Sequence, residues 1–375
     1  MSERDRFLVG VNYPWRACGH DFGPRPRPWR GAGPTDWAAV EQDLKDLEAL
    51  GVQVARWWVL AGGVNLPVGR PLRGPMIPWL GMTPGRGGWL RGTIEAARTG
   101  RLPRRYAIAG PTPTWPRASL DDFAALLGAC RAAGVRLLPS LVSFELFLPV
   151  EVQAGGVRSR GRAGYAVPGR RRAERFFDRL LEPLLEVSGA FRDAIYAWEV
   201  INEPHWAVRL LPQGWAGPRG WVRPDAMSAF IRLGVERIAA RGFLATVGFI
   251  HGELPWLAPA TTAALRRLAA DGRYVHQMHH YPGLWVPPRP LPPAASLAVA
   301  PCLVGELPTS RHQAWPDEGL REGDPERYLA ARLAAARRAG YAGALLWSVR
   351  GRDKHSAFGP AVRRQVEAFT RSAVG

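Results

Sequence analysis

Trp198-Glu199-Val200-Ile201-Asn202-Glu203-Pro204 closes a run, Ala194 to Ile201, that is rich in β-branched and aromatic residues. Such a run favours a buried, pleated strand, and Pro204, which has no N–H to give a ladder, stops it. Glu203 therefore falls at the strand's carboxyl end. A second run follows the same plan: Val299-Ala300-Pro301-Cys302-Leu303-Val304-Gly305-Glu306 is short, apolar and closed by a carboxylate, with Leu307-Pro308 behind it.

Outward from these two runs, strand-like and helical segments alternate from one end of the chain to the other, which is the pattern of a parallel α/β sheet. Strands are predicted at 7–13, 53–60, 135–143, 194–201, 243–250, 274–281, 299–306 and 341–348. Amphipathic helices are predicted at 35–50, 120–133, 172–187, 224–240, 261–270, 325–339 and 360–371. In place of a sixth helix stands a Pro-rich passage, Pro282 to Pro293, which cannot sustain one. Helix-to-strand links such as Gly51-Val52, Ala133-Gly134 and Arg241-Gly242 are short, whereas the strand-to-helix links 61–119, 144–169, 202–223 and 307–324 are long. The loops after the strands build the active-site face of a (β/α)8 barrel, so elaboration on that side alone predicts a single (β/α)8 TIM barrel domain covering residues 1–375. The alternative, a doubly wound open sheet, carries a Gly-rich phosphate fingerprint after its first strand; Gly10-Val11-Asn12-Tyr13-Pro14-Trp15 is not one.

Composition narrows the functional classes. The chain is 47% hydrophobic, which excludes general disorder, and no apolar stretch approaches the roughly 20 residues that cross a bilayer. Met1 to Arg6 leads straight into Phe7-Leu8-Val9-Gly10-Val11 without a signal-peptide pattern, so a cytoplasmic location and no membrane association are expected. Cys18, Cys130 and Cys302 are odd in number and far apart, as reduced thiols would be. The formal net charge is +18, a footprint of polyanion binders, yet all but Lys45 and Lys354 of the basic residues are Arg, scattered mostly through the helices. That scatter gives no nucleic-acid stripe, and no nucleic-acid partner is expected. One cluster stands apart: Arg158, Arg160, Arg162, Arg170, Arg171, Arg172 and Arg175, which is read as a solvated loop leading into a helix, with an acidic glycan or another anion as the sharper alternative.

The strand ends concentrate polar and aromatic side chains. Strand one ends Asn12-Tyr13-Pro14-Trp15, strand two carries Arg56-Trp57-Trp58, strand six ends His279-His280-Tyr281, and strand eight holds Trp347-Ser348. Period-two alternation sets His279 and Tyr281 on the face opposite His280. Two carboxyls at one mouth meet the requirement of glycosidic-bond hydrolysis, in which one protonates the leaving oxygen and the other attacks or activates water. On these residues the chain resembles the retaining (β/α)8 glycoside hydrolases of clan A, and is most similar to the cellulase and mannanase group called family five. The resemblance runs from Gly10 through Trp347. It implies Glu203 as acid/base, Asn202 as a hydrogen-bonding partner of the sugar 2-hydroxyl, and Glu306 as nucleophile. It also implies Arg56 as support for the nucleophile, His279 and Tyr281 along the reacting subsite, and Trp347 as its platform. Asn12 and Trp15 join the substrate-binding set from strand one.

The chain departs from that pattern at strand three, where Leu141-Val142-Ser143-Phe144-Glu145 replaces the frequent His and leaves Ser143 or Glu145 to take its contacts. Double displacement is the implied mechanism, with a raised pKa expected for Glu203 and with Glu306 held ionised by Arg56 and Tyr281. A plain salt bridge of Arg56 to an acid such as Glu199 is the structural alternative for that arginine. Trp57 is read as core, and His280 as packing behind the barrel. His251, Glu253, His279 and His280 lack metal-ligand spacing, so neither a metal nor another cofactor is expected. Trp15, Trp206, Trp285 and Trp315 either make further subsites or pin their own loops. The expected ligand is a β-glycoside or oligosaccharide, with β-mannoside or β-glucoside favoured. The alternatives are a barrel that binds carbohydrate without catalysis, a transglycosylase on the same site, and an Arg-driven polyanion binder.

Overall fold

Nearly every residue of the core strands is buried, the condition of a parallel sheet enclosed by helices. The structure is a computed structural model; it describes residues 7–16, 21–23, 35–60, 106–107, 114–147, 151–152, 158–160, 170–208, 222–250, 254–281, 290–309, 328–350 and 356–374. The eight core strands are β1 (Leu8–Asn12), β2 (Val54–Trp58), β3 (Arg136–Ser143), β4 (Trp198–Asn202), β5 (Ala245–Phe249), β6 (His276–His279), β7 (Cys302–Pro308) and β8 (Gly343–Trp347). They pair in parallel in chain order, and β8 pairs with β1 to close the barrel. Each predicted strand overlaps its counterpart.

Helices α1 (Trp37–Glu48), α2 (Arg117–Ala133), α3 (Arg170–Phe176), α4 (Glu182–Gly189), α5 (Pro224–Ala240), α6 (Pro259–Ala270) and α7 (Tyr328–Arg338) lie between the strands in sequence, and α8 (Pro360–Val374) follows the last strand. The single helix predicted at 172–187 is interrupted: a π turn, Phe177–Leu181, joins α3 to α4. Between β6 and β7 the described residues hold one 3-10 turn, Ala294–Ser296, and residues 282–289 of the predicted Pro-rich passage lie outside the described set. The unequal connections are present: 134–135 suffice between α2 and β3, whereas 59–116 separate β2 from α2. Three short segments of the loops after β2 and β3 make a second sheet, in which Arg158–Arg160 pairs with Tyr106–Ala107 and with Glu151–Val152.

Two apolar layers surround the barrel wall. Val9, Val11, Ala55, Trp57, Leu137, Leu141, Val200 and Leu346 belong to the large cluster that seats the helices. Inside, Leu8, Val54, Leu138, Ala197, Val275, Leu303 and Leu345 form a separate plug. Two residues further along their strands, the inward positions become Gly10, Arg56, Ser140, Glu199, Gln277, Gly305 and Trp347, because side chains alternate with period two. The plug excludes water from below, and a polar layer rests on it.

Candidate active site

Arg56 is the centre of that polar layer and is fully buried. Its guanidinium presents five N–H donors in a planar fork, and each one finds a protein acceptor. Nε and Nη2 hold the two oxygens of Glu199 at 2.8 and 2.7 Å. Nη2 also donates to Asn202 Oδ1 at 2.7 Å, while Nη1 donates to Asn12 Oδ1 at 2.8 Å and to Glu306 Oε1 at 2.7 Å. The salt bridge to Glu199 and the support of Glu306, alternatives in the sequence, coexist. Contact with a ligand falls to other residues, since the fork has no free donor. Asn12 is equally enclosed: its Nδ2 donates to the Gly305 carbonyl at 3.0 Å.

Glu199 collects four donors. Besides Arg56 it accepts from Ser140 Oγ at 2.5 Å and from Gln277 Nε2 at 2.9 Å. Neither Glu199 nor Gln277 stood among the sequence site candidates; their signal was the inward register of β4 and β6, two residues beyond Ala197 and Val275 of the plug. Gln277 is further tied to Thr246 Oγ1 at 3.0 Å.

Above this layer lie the two acids of the strand ends. Glu306, 4% exposed, accepts from Arg56 on Oε1 and from the Tyr281 hydroxyl on Oε2 at 2.5 Å. Glu203 follows β4 and has φ 48° and ψ 52°, the left-handed region that side chains adopt at a cost. That backbone leads into the 3-10 turn Pro204–Ala207, which brings the Trp206 indole over the acid; its Nε1–H donates to Glu203 Oε2 at 2.8 Å. His279 stands between the acids, with Nδ1 at 2.9 Å from Glu203 Oε1 and 3.4 Å from Glu306 Oε1.

Burial acts on all three. It raises Glu203 to about 7 against the opposing pull of the Trp206 hydrogen bond and of Arg56, with the Glu199 charge adding to the rise. Burial lowers His279 to about 4, which leaves it neutral near pH 7. Glu306 is also pushed above the ordinary carboxylate range by burial, although Arg56 and the Tyr281 hydroxyl pull it back. The expected rise of Glu203 is present, and Arg56 and Tyr281 act on Glu306 in the expected direction, favouring its ionised form against desolvation. The facing atoms of Glu203, His279 and Glu306 lie within 4.8 Å of one another, near enough to reach one cation. Three of the four oxygens accept an N–H or O–H from the protein and the fourth, Glu203 Oε1, shares a hydrogen bond with His279 Nδ1, so the set fits a hydrogen-bonded acid pair better than a metal cage.

Aromatic rings stand beside the acids. Trp58, Tyr281 and Trp347 form a cluster against which half-buried Trp15 packs. Trp58 lies 5.8 Å from Trp347 and meets the edge of Trp15 at 5.2 Å. Trp58 was missed in the sequence, although its period-two relation to Arg56 sets it inward. Trp57, as read, is core against Tyr13. At the end of β3, Ser143 Oγ accepts from Asn202 Nδ2 at 3.3 Å; the Glu145 side chain lies outside the described residues. So do His251, Glu253, Trp285, Trp315, Cys18 and Arg162. His280 is buried, and Arg170, Arg171, Arg172 and Arg175 are exposed on α3, where Arg170 pairs with Glu174.

No protein-family model and no curated protein matches the chain. Solved structures do. A β-mannanase from the blue mussel Mytilus edulis superposes with a TM-score of 0.62 at 16% identity over 97% of this chain and 92% of its own. The endo-1,4-β-mannanase of Eisenia fetida gives 0.63 at 18% identity over 98% and 91%. The β-1,4-mannanase of Aplysia kurodai gives 0.62 at 18% over 97% and 92%. At such identities the likeness establishes a shared barrel fold, the fold that the sequence predicts.

Proposed function

We propose that the chain is a retaining β-glycoside hydrolase, with Glu306 as nucleophile and Glu203 as acid/base. The observation that carries the reading is one imidazole nitrogen, His279 Nδ1, within 2.9 and 3.4 Å of two carboxyls whose partners differ in kind. Burial raises both; Glu306 is tied to the Arg56 cation, which pulls it back, whereas Glu203 has no direct cation partner among the described residues and is raised to about 7. One oxygen of each carboxyl lies within 4.8 Å of the other, a close approach in keeping with the short carboxyl separation of about 5 to 5.5 Å in retaining enzymes.

In the first step Glu306 attacks the anomeric carbon while protonated Glu203 gives its proton to the departing glycosidic oxygen. Water then displaces Glu306 as deprotonated Glu203 takes the proton from that water, and the configuration is retained. Asn202, held by Arg56 and Ser143, directs its remaining amide hydrogen to a sugar hydroxyl, and the Trp347, Trp58 and Trp15 cluster supplies apolar faces for the ring. A β-mannoside is the first substrate class to test, in keeping with the mannanases that share the barrel, and a β-glucoside the second.

The test is hydrolysis of nitrophenyl β-glycosides and of manno-, gluco- and xylo-oligosaccharides by the wild type and by Glu306→Ala, with the first-formed anomer read by NMR. Turnover with retained β-configuration, lost in Glu306→Ala, supports the proposal. Inverted product, or full activity in Glu306→Ala, defeats it.

A further inference from the structure

Glu203 shows its two oxygens to different donors, and the difference identifies which one delivers the proton. His279 Nε2 is buried without an acceptor among the described residues, so the single proton of the neutral ring sits on Nδ1 and is donated to Glu203 Oε1 at 2.9 Å. The acid's own proton is thereby left on Oε2. That same oxygen accepts the Trp206 indole N–H at 2.8 Å. The indole nitrogen is a donor only and never competes for the transferable proton.

We propose, on the reading that Glu203 is the general acid, that Trp206 is a positioning residue for proton delivery: its N–H fixes Oε2 and favours the carboxylate formed there as the proton leaves. The placement is written into Glu203-Pro204-His205-Trp206. The left-handed Glu203 backbone opens a 3-10 turn whose Trp206 N–H returns to the Glu203 carbonyl at 3.2 Å, setting the indole three residues on against its own acid. The charged and titratable groups that surround Glu203 come from four strands: Arg56 on β2, Glu199 on β4, His279 on β6 and Glu306 on β7. None of these donates to Oε2, which leaves Trp206 as the donor at that atom among the described residues. Phe144, from the end of β3, lies 6.3 Å from the Trp206 ring.

The test compares Trp206→Phe with wild type on two leaving groups. A dinitrophenolate departs without protonation, whereas a sugar alkoxide requires it. For Trp206→Phe, kcat/KM on the oligosaccharide is expected to fall about tenfold, with the dinitrophenyl glycoside unchanged within about twofold and the basic limb of the pH profile moved upward. Equal losses on both substrates, or an unmoved basic limb, would overturn the proposal. Glu203→Ala separates this from failure of the underlying reading: it should lose the oligosaccharide and retain dinitrophenyl cleavage, and if it cleaves both like wild type the general-acid assignment itself fails. Should Trp206→Phe not fold, an indole N–H resonance in the wild type that titrates with Glu203 and stops titrating in Glu203→Gln carries the same decision; a wild type in which no indole proton titrates overturns the proposal.

Discussion

Arg56 and Glu199 meet through two parallel hydrogen bonds of 2.8 and 2.7 Å, and neither side chain has any exposed surface. A buried pair of this kind is weak evidence for stability, because desolvation of both charges offsets most of their attraction. Its geometry carries more weight: Glu199 occupies one edge of the fork and turns Nη1 toward Glu306. Glu199→Gln leaves Arg56 partly uncompensated and is expected to destabilise the fold by about 3 to 5 kcal/mol. The double replacement Arg56→Met with Glu199→Met removes both charges together and is expected to be more stable than either single change. Denaturant unfolding of wild type, Arg56→Met, Glu199→Met and the double variant measures the coupling; additive losses would mean that the two residues do not act as a unit.

The pH dependence of kcat/KM follows from the two acids. Glu306 attacks only when ionised, so activity falls as pH drops through its pKa, which burial lifts above the ordinary carboxylate range. Glu203 protonates only while it keeps its proton, so activity falls as pH rises through about 7. A bell with its basic limb near 7 is expected, and Glu203→Gln should abolish that limb. A profile flat beyond pH 8 in the wild type would contradict the assignment of Glu203.

The same group sets a stability signature of definite sign. A carboxyl whose folded pKa lies near 7 rather than at its ordinary value binds its proton more tightly in the native state than in the unfolded chain. Its contribution is complete below the unfolded pKa and disappears as pH rises through the folded one, because the native state must then bury a charge. Glu203→Gln removes that burden. The variant should gain relative to wild type as pH rises from about 4 to above 7, by on the order of 3 kcal/mol at most. Chemical denaturation at both ends of the interval measures the gain; a difference that does not change with pH would exclude the raised pKa.

Much of this arrangement was legible in the strand ends. Period two carried His279 and Tyr281 inward, Arg56 stood among the polar strand-end residues, and Pro204 and Pro308 followed the two acids. What escaped the sequence lay where the period breaks. The register of β7 against β6 shifts between Val304 and Glu306, which aligns Glu306 with His279, and β4 against β5 shifts between Glu199 and Asn202. Irregularities of this kind let adjacent residues such as Gly305 and Glu306 both serve the interior, which strict alternation forbids. The Trp206 contact needed a left-handed Glu203, a conformation no local residue preference announces. Glu199 was visible only as a rival partner for Arg56, since one arginine fork reaches two acids and spacing cannot say whether it takes one or both.

Two glycines hold His279 in place by what they lack. A Cβ on Gly305 would lie 2.5 Å from Gln277 Oε1 and 3.0 Å from the His279 ring; one on Gly248 would lie 2.9 Å from His279 Nε2 and 3.2 Å from Glu199 Oε2. The imidazole edge is thus seated between β5 and β7, and Nδ1 has one direction left, toward the acids. Gly305→Ala forces the ring or the glutamine aside, and both are enclosed. The expected cost is about 1 to 3 kcal/mol of stability. The larger effect falls on turnover, since a catalytic constellation displaced by about 1 Å loses on the order of 100-fold in rate. Gly248→Ala should behave alike, and Gly128→Ala serves as the contrast. Gly128 lies within α2 with nothing inside 4 Å of its added Cβ, so that variant should gain about 0.5 to 1 kcal/mol with kcat unaltered. Thermal midpoints and kcat of the three variants decide it: Gly305→Ala with wild-type turnover would show that His279 can leave its seat without consequence, and the imidazole would lose its part in holding the two acids together.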